Sequence, residues 1–283
     1  MRFGFVQWEF PGRLGPDPGR YVVRRYAGDD VRHVVVIGGF DAPRRRRRGP
    51  RPRRADLGPT SVEITRATVI DASPLGELEA ADAWLEGASG GDRVTGEALT
   101  LLNRAVAGQR IAGADPWLPD ADAARALVCR VGYGTGEQVA EGDWEAAREL
   151  PLPPPRGSRS LVLSPQERLA ALLSGRDAAL ACEELTLRAR GDLDHGRTRE
   201  AALQLAIALD AGLAELEVWR EQGDMAARLE ELDGWREAVA LAARSALAGG
   251  LDPAQAADVS GALERLEAAL RARQVAEGRT SSM

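Results

Sequence analysis

Lysine is absent from the 283 residues: all 37 cationic side chains counted apart from the two histidines are arginine. Schiff-base chemistry, the pyridoxal-binding amine, the phosphate-loop lysine and the kinase strand lysine all need an ε-amino group, so each is excluded. Arginine keeps its charge and planar fork of donors but neither attacks nor shuttles protons near neutral pH. The cations are therefore limited to holding anions and forming ion pairs, and a GC-rich genome accounts for the bias. Cysteine is scarce too. Cys129 and Cys182 are far apart, which excludes a disulfide framework and points to a reducing, cytoplasmic setting. No metal or cofactor is expected, because His33 and His195 stand alone and the cysteines lack ligand spacing. The opening MRFGFVQWEFPG is too short an apolar stretch for a signal peptide, and nothing approaches the length of a membrane span.

What is present is an apolar share of 44% resting on Ala and Leu, with only 5% aromatics, the profile of a largely helical protein. The net charge of −6 hides an asymmetry: residues 1 to 60 carry 14 Arg against 6 acids (+8), and residues 61 to 283 carry 23 against 37 (−14). Attraction to a polyanion must come from the first fifth of the chain.

The predicted fold is an α+β N-terminal domain, a mostly antiparallel sheet with helices, followed by an all-α C-terminal helical bundle. RFGFVQWEF, YVVRRY and VRHVVVIGGF read as strands separated by turn chemistry. The third, apolar on both faces from Val34 to Ile37, is expected at the centre of its sheet. Residues 42–60 hold no apolar period and are predicted to be a disordered insertion. SVEITRATVIDA resumes as a strand, with helices near 75 to 87 and 93 to 111. Residues 123 to 150 suggest a strand, a glycine-rich turn, a second short strand and a closing helical turn. This places the first domain at 1–150.

PLPPPRGSRS marks a linker at 151–160. The bundle is predicted over 161–277, with 278–283 a disordered tail. Ser164-Pro165-Gln166-Glu167 is a capping box that opens its first helix. A second helix follows with Ala178, Cys182, Leu185 and Ala189 on one face. A third runs from Thr198, wrapped on more than one side, and a fourth runs from Met225 past Trp235 to Ala246. Asp252-Pro253 starts a fifth, with a seam of Val259, Leu263, Leu266 and Leu270 and with Arg271 and Arg273 at its C-terminal dipole.

Two stretches about 37 residues apart, HGRTREAALQLAIALDAG and DGWREAVALAARSALAGGLDP, share a glycine, a glutamate (Glu200, Glu237), an alanine (Ala201, Ala238) and an apolar helix. They resemble tetratricopeptide-type helical hairpins, which implies a helical-hairpin bundle with a protein-binding role. Through FGFVQWEFPGRLGP, the arginine tract and RVGYGTGEQVAEG, the whole chain is similar to proteins without assigned activity from high-GC actinobacteria.

Several constellations are candidates for chemistry. Arg44, Arg45, Arg46, Arg47, Arg48, Arg51, Arg53 and Arg54 fall within eleven residues and could bind nucleic acid or another polyanion without sequence preference. With no aromatic among them, base stacking is unsupported. Gly132, Gly134 and Gly136 follow an apolar strand and form a candidate ligand loop, although Glu137 stands where a dinucleotide fingerprint needs glycine, and a tight hairpin competes as the explanation. An enzyme pocket beside this loop would use Glu137, Glu141 and Arg130. Gly87-Ala88-Ser89-Gly90-Gly91 satisfies the written serine-hydrolase pattern but sits between helices, where the exposed elbow cannot form. His195 lies in a carboxylate-rich turn that reads as a surface turn. Of six tryptophans, Trp84 and Trp235 fall on apolar helix faces, while Trp117 and Trp144 lie in polar surroundings that suit a partner anchor. No nucleophile, base and orienting group converge. The expectation is a non-enzymatic interaction or scaffold protein, with polyanion binding and then an enzyme as alternatives.

Overall fold

Alternation of side chains along β1 (Arg2–Pro11) sends Gly4, Val6, Trp8 and Phe10 to one face of a sheet and Phe3, Phe5, Gln7 and Glu9 to the other. The computed structural model describes residues 1–24, 28–41, 63–153 and 165–280. They fall into two units, Met1–Arg156 and Gly157–Met283, and the division lies within the proline-rich segment.

The N-terminal unit is a six-stranded antiparallel sheet. β1 and β4 (Glu63–Pro74) form its centre, β3 (His33–Asp41) and β2 (Gly19–Val23) extend it on one side, and β5 (Val128–Thr135) and β6 (Ala146–Leu150) on the other. The register aligns Tyr21, Val35, Val69, Val6 and Val131 in one row across five strands. Helices α1 (Leu78–Ser89) and α2 (Arg93–Ala112) cover this face with Ala81, Leu85, Ala98 and Leu102. Burying such aliphatic side chains contributes about 1.5 to 3 kcal/mol each.

On the opposite face a 3-10 turn, Gly136–Glu141, seals Val139 against Phe5 and Ile70. Gln7, fully buried, donates to Thr68 Oγ1 (2.9 Å) and to the carbonyls of Ala140 (3.3 Å) and Val139 (3.5 Å), tying that turn to the sheet.

Three expectations are corrected here. β3 lies one strand in from the edge, not at the centre; its doubly apolar character reflects the small cluster of Val34 and Val36 with Phe5 and Ile70 on the second face. Gly132 and Gly134 belong to β5 and not to a turn, and the 3-10 turn occupies the place of the second strand. AAREL, read as a closing helical turn, is strand β6, because pairing Cys129 to Tyr133 of β5 with its backbone outweighs local helix propensity.

The C-terminal unit contains α3 (Pro165–Leu173), α4 (Ala181–Asp194), α5 (Thr198–Glu215), α6 (Met225–Gly234), α7 (Arg236–Ala248) and α8 (Pro253–Thr280). Ser164 of the expected capping box lies outside the described residues. At α8 the start is well defined: Asp252 and Gln255 exchange side-chain to backbone hydrogen bonds of 2.8 and 3.2 Å. Val259, Leu263, Leu266 and Leu270 form its buried seam.

The expected helix from Met225 to Ala246 is two helices, divided at Gly234-Trp235. Trp235 packs over Gly261 of α8, where an added methyl would meet the ring at 3.1 Å. α5 is also less enclosed than expected, since Ile207 is exposed. The tail of α8 differs too. The helix runs on to Thr280, so Arg273 is not at its terminus but buried in the bundle.

Candidate functional site

α5 and α7, formed by the two similar stretches, pack side by side and run antiparallel. At one end Arg199 Nε donates to the Ala246 carbonyl (3.0 Å), and at the other Arg236 pairs with Asp210 (3.1 Å). Small residues make the approach close, with Ala201, Ala202, Ala208, Ala242 and Ala246 all buried. The outward sides carry Ile207 (61% exposed), Leu247 (73% exposed) and half-buried Leu203. At 1.5 Å per residue, roughly two turns of α5 separate Ile207 from the Arg199 contact. Leu203 and Ile207, four residues apart, lie on one face of α5, and Leu247 lies on α7 beside the Arg199 contact. Single exposed leucines are ordinary, whereas a group rimmed by charged residues is the form that protein-contact surfaces take.

The same unit holds a buried ionic cluster. Arg273 is 1% exposed. It donates to Asp177 (2.7 Å), Glu183 (3.3 Å) and the Ala178 carbonyl (3.0 Å), while Arg168 of α3 reaches Glu183 (2.5 Å) and Asp177 (3.3 Å). Glu215, at the end of α5, accepts from the backbone N–H groups of Ala181 (3.1 Å) and Cys182 (2.9 Å), capping α4 from a neighbouring helix. Burial pushes the Glu215 carboxyl up, but the bonds from Cys182 and Ala181 and the Arg273 charge outweigh it and hold the carboxyl below its ordinary value. Over residues 157–283 the chain carries 15 Arg against 21 acids, a net −6.

Arg273 had a signal in the sequence. It extends the α8 seam 259, 263, 266, 270 by one more step, and an arginine at such a position needs buried carboxylates. A second ionic group also escaped the sequence reading: Glu9 lies between Arg66 (3.1 Å) and Arg130 (3.0 Å) on the second face of the sheet. Nothing local marks it, because three strands bring these side chains together.

The expected site residues are placed as follows. The eight arginines from Arg44 to Arg54 lie outside the described residues. At Gly132 an added Cβ would stand 2.5 Å from the Ala146 carbonyl oxygen and 2.7 Å from the Phe5 ring, and at Gly134 it would stand 2.8 Å from Val139. The space a ligand would need is filled by protein at these two positions. Gly136 has φ +65° and starts the 3-10 turn. Glu137 and Glu141 pair with Arg20, and Arg130 with Glu9 and Glu149, so the three do not converge.

Ser89 ends α1, its hydroxyl donating to Leu85 O (2.6 Å). His195 Nδ1 meets the Gly191 carbonyl (2.6 Å) at the end of α4, and His33 stands opposite Asp71 in the sheet. Both thiols are buried. Burial raises Cys129 to about 11 despite the nearby Arg130 charge, and burial with Glu215 raises Cys182 further. Trp117 is 88% exposed, whereas Trp144 packs on Phe5 with ring centres 5.6 Å apart. Among the described residues no group of three or more His, Cys, Asp or Glu is placed to hold a metal ion, and no helix is long and apolar enough to cross a membrane. No protein-family model, no curated protein and no solved structure matches the chain.

Proposed function

We propose that the protein is a non-enzymatic interaction or scaffold protein whose helical unit docks a protein partner along the α5–α7 seam. The observation that carries this reading is the exposure of Ile207 and Leu247, with half-buried Leu203, on two helices that pack together through buried Ala201, Ala202, Ala208, Ala242 and Ala246. The partner segment would bring apolar side chains to the seam and basic residues to its rim, since the unit is net acidic. Capture from a lysate of the source cells by the full chain and by an Ile207→Asp/Leu247→Asp variant tests it. A partner retained by the first and lost by the second, with equal melting temperatures, is expected; equal recovery by both overturns it.

A second reading rests on the eight arginines between 44 and 54: binding to nucleic acid or another polyanion, falling steeply with salt. Replacing all eight by serine is expected to abolish retention on a polyanion column, and unchanged retention rejects that reading.

A further inference from the structure

On the helix-covered face of the sheet, His33 of β3 and Asp71 of β4 are register partners in the row beyond Val35 and Val69. The Cα atoms of such partners stand about 4.5 to 5.5 Å apart, near enough for an imidazole to bond a carboxylate. Among the described residues, however, no hydrogen bond or ion pair joins these two. Asp71 Oδ1 accepts from the Ser73 N–H (2.8 Å), and its Oδ2 and both ring nitrogens of His33 are left without a protein partner. Both side chains line a cavity of about 150 Å³ between the sheet and the first turns of α2.

The rest of the lining selects by charge and shape. Val6, Val69 and Leu101 give the cavity an apolar floor, and Trp84 of α1 gives it an aromatic wall. That wall depends on Gly4: a Cβ there would stand 2.6 Å from the indole ring, so glycine is what lets the ring lie against β1. Arg93 and Glu97, one turn apart on α2, pair with each other (3.0 Å) and their charges cancel. With the imidazole neutral, Asp71 is the unbalanced charge among the described lining residues. A metal ion is a poor match for it, since among the described residues no group of three or more His, Cys, Asp or Glu is placed to hold one.

We propose that this cavity binds the ammonium group of a small primary amine with a short apolar stem. An ammonium carries three donors and no acceptor, and Asp71 Oδ2 and a His33 ring nitrogen supply acceptors that no protein group uses. The Trp84 ring attracts the same positive charge, and the stem lies over Val69 and Leu101. The volume, below the roughly 300 Å³ at which ligand pockets usually begin, limits the ligand to few heavy atoms. Asp71 repels an anion, and a neutral alcohol gains neither the charge-assisted bond nor the attraction to the ring.

The test titrates n-butylammonium into the full chain at about pH 8, where histidine is ordinarily neutral, followed by saturation-transfer NMR. Butan-1-ol and butyrate serve as its uncharged and anionic counterparts. Asp71→Asn removes the charge and keeps the oxygen that Ser73 bonds, so the strand end is preserved, which an unchanged melting temperature verifies. Glu79→Gln, at an exposed position of α1 that does not line the cavity, makes the same change of charge elsewhere. Saturable binding of n-butylammonium is expected, weakened at least tenfold in Asp71→Asn, unchanged in Glu79→Gln, and at least tenfold tighter than that of either counterpart. Equal affinity of the wild type and Asp71→Asn, no saturable binding, or butan-1-ol binding as tightly as the amine overturns the proposal. An equal loss in Glu79→Gln assigns the amine to the acidic surface at large and overturns it as well.

Discussion

The guanidinium carbon of Arg273 lies 4.8 Å from the centre of the Trp219 ring, and the same guanidinium donates to Asp177 and Glu183. Charge, ring and carboxylates thereby join α8 to α4 and to the turn after α5. Removing one partner of a buried ionic group typically costs about 3 to 5 kcal/mol, because the charges left behind stay desolvated. Arg273→Met is expected to lose about 3 kcal/mol, read as a lower midpoint in urea unfolding of the full chain. A change below about 1 kcal/mol, the value typical of exposed pairs, would show that the cluster is not structural.

Acid should weaken the same unit. The Glu215 and Asp177 carboxyls are both held below their ordinary values. For Asp177, burial works upward, and the charges and hydrogen bonds of Arg273 and Arg168 overcome it. A carboxylate with a lowered folded value contributes fully above the ordinary carboxylate range, about pH 4, and its contribution is lost as the pH falls through the lowered value. Stability measured by urea unfolding is therefore expected to drop from pH 5 to pH 3, with a shallower drop in Glu215→Gln. Identical slopes for the wild type and the variant would remove Glu215 from this account.

Glycine substitutions divide by what surrounds them. At Gly132 the added methyl collides with backbone, the Ala146 carbonyl oxygen at 2.5 Å, which cannot move without breaking the β5–β6 pairing. Gly132→Ala is expected to destabilise by about 2 kcal/mol or more, as overpacking does. Gly108, exposed in α2 with nothing within 4 Å, should instead gain roughly 0.5 to 1 kcal/mol as alanine. Thermal unfolding of the two variants gives opposite signs if this is right.

Neither thiol should react in the folded state. Cys129 is raised to about 11, and both side chains are buried. An aromatic disulfide reagent at about pH 8, where a free cysteine is partly thiolate, is expected to label no thiol in the native full chain and both in urea. Rapid labelling of one native thiol would contradict the packing around it.

The parts of the fold legible in the sequence were those set by local pattern. Short apolar runs bounded by turn residues placed β1, β3 and β4, and Asp252-Pro253 gave the first residue of α8 because its capping box lies within four residues. What was not legible depended on distant partners. The stripe from Met225 to Ala246 hides the break at Gly234-Trp235, which exists because Trp235 turns onto Gly261 of another helix. Gly132 and Gly134 look like turn residues, yet they are strand positions cleared for Phe5, Val139 and Trp144. The ionic groups around Arg273 and Glu9 are assembled from segments up to 121 residues apart. Of the candidate site, the apolar helices were readable, but not which of their leucines and isoleucines would face outward, since that is decided by how α5 and α7 pair.

The measurement that bears most directly on the interaction reading is the affinity of the captured partner, purified, for the wild-type chain and for Ile207→Ala, by calorimetry at fixed salt. Alanine removes the exposed side chain without introducing charge. At least a tenfold weakening, about 1.4 kcal/mol, with unchanged thermal stability is expected; equal dissociation constants would contradict the assignment of the seam.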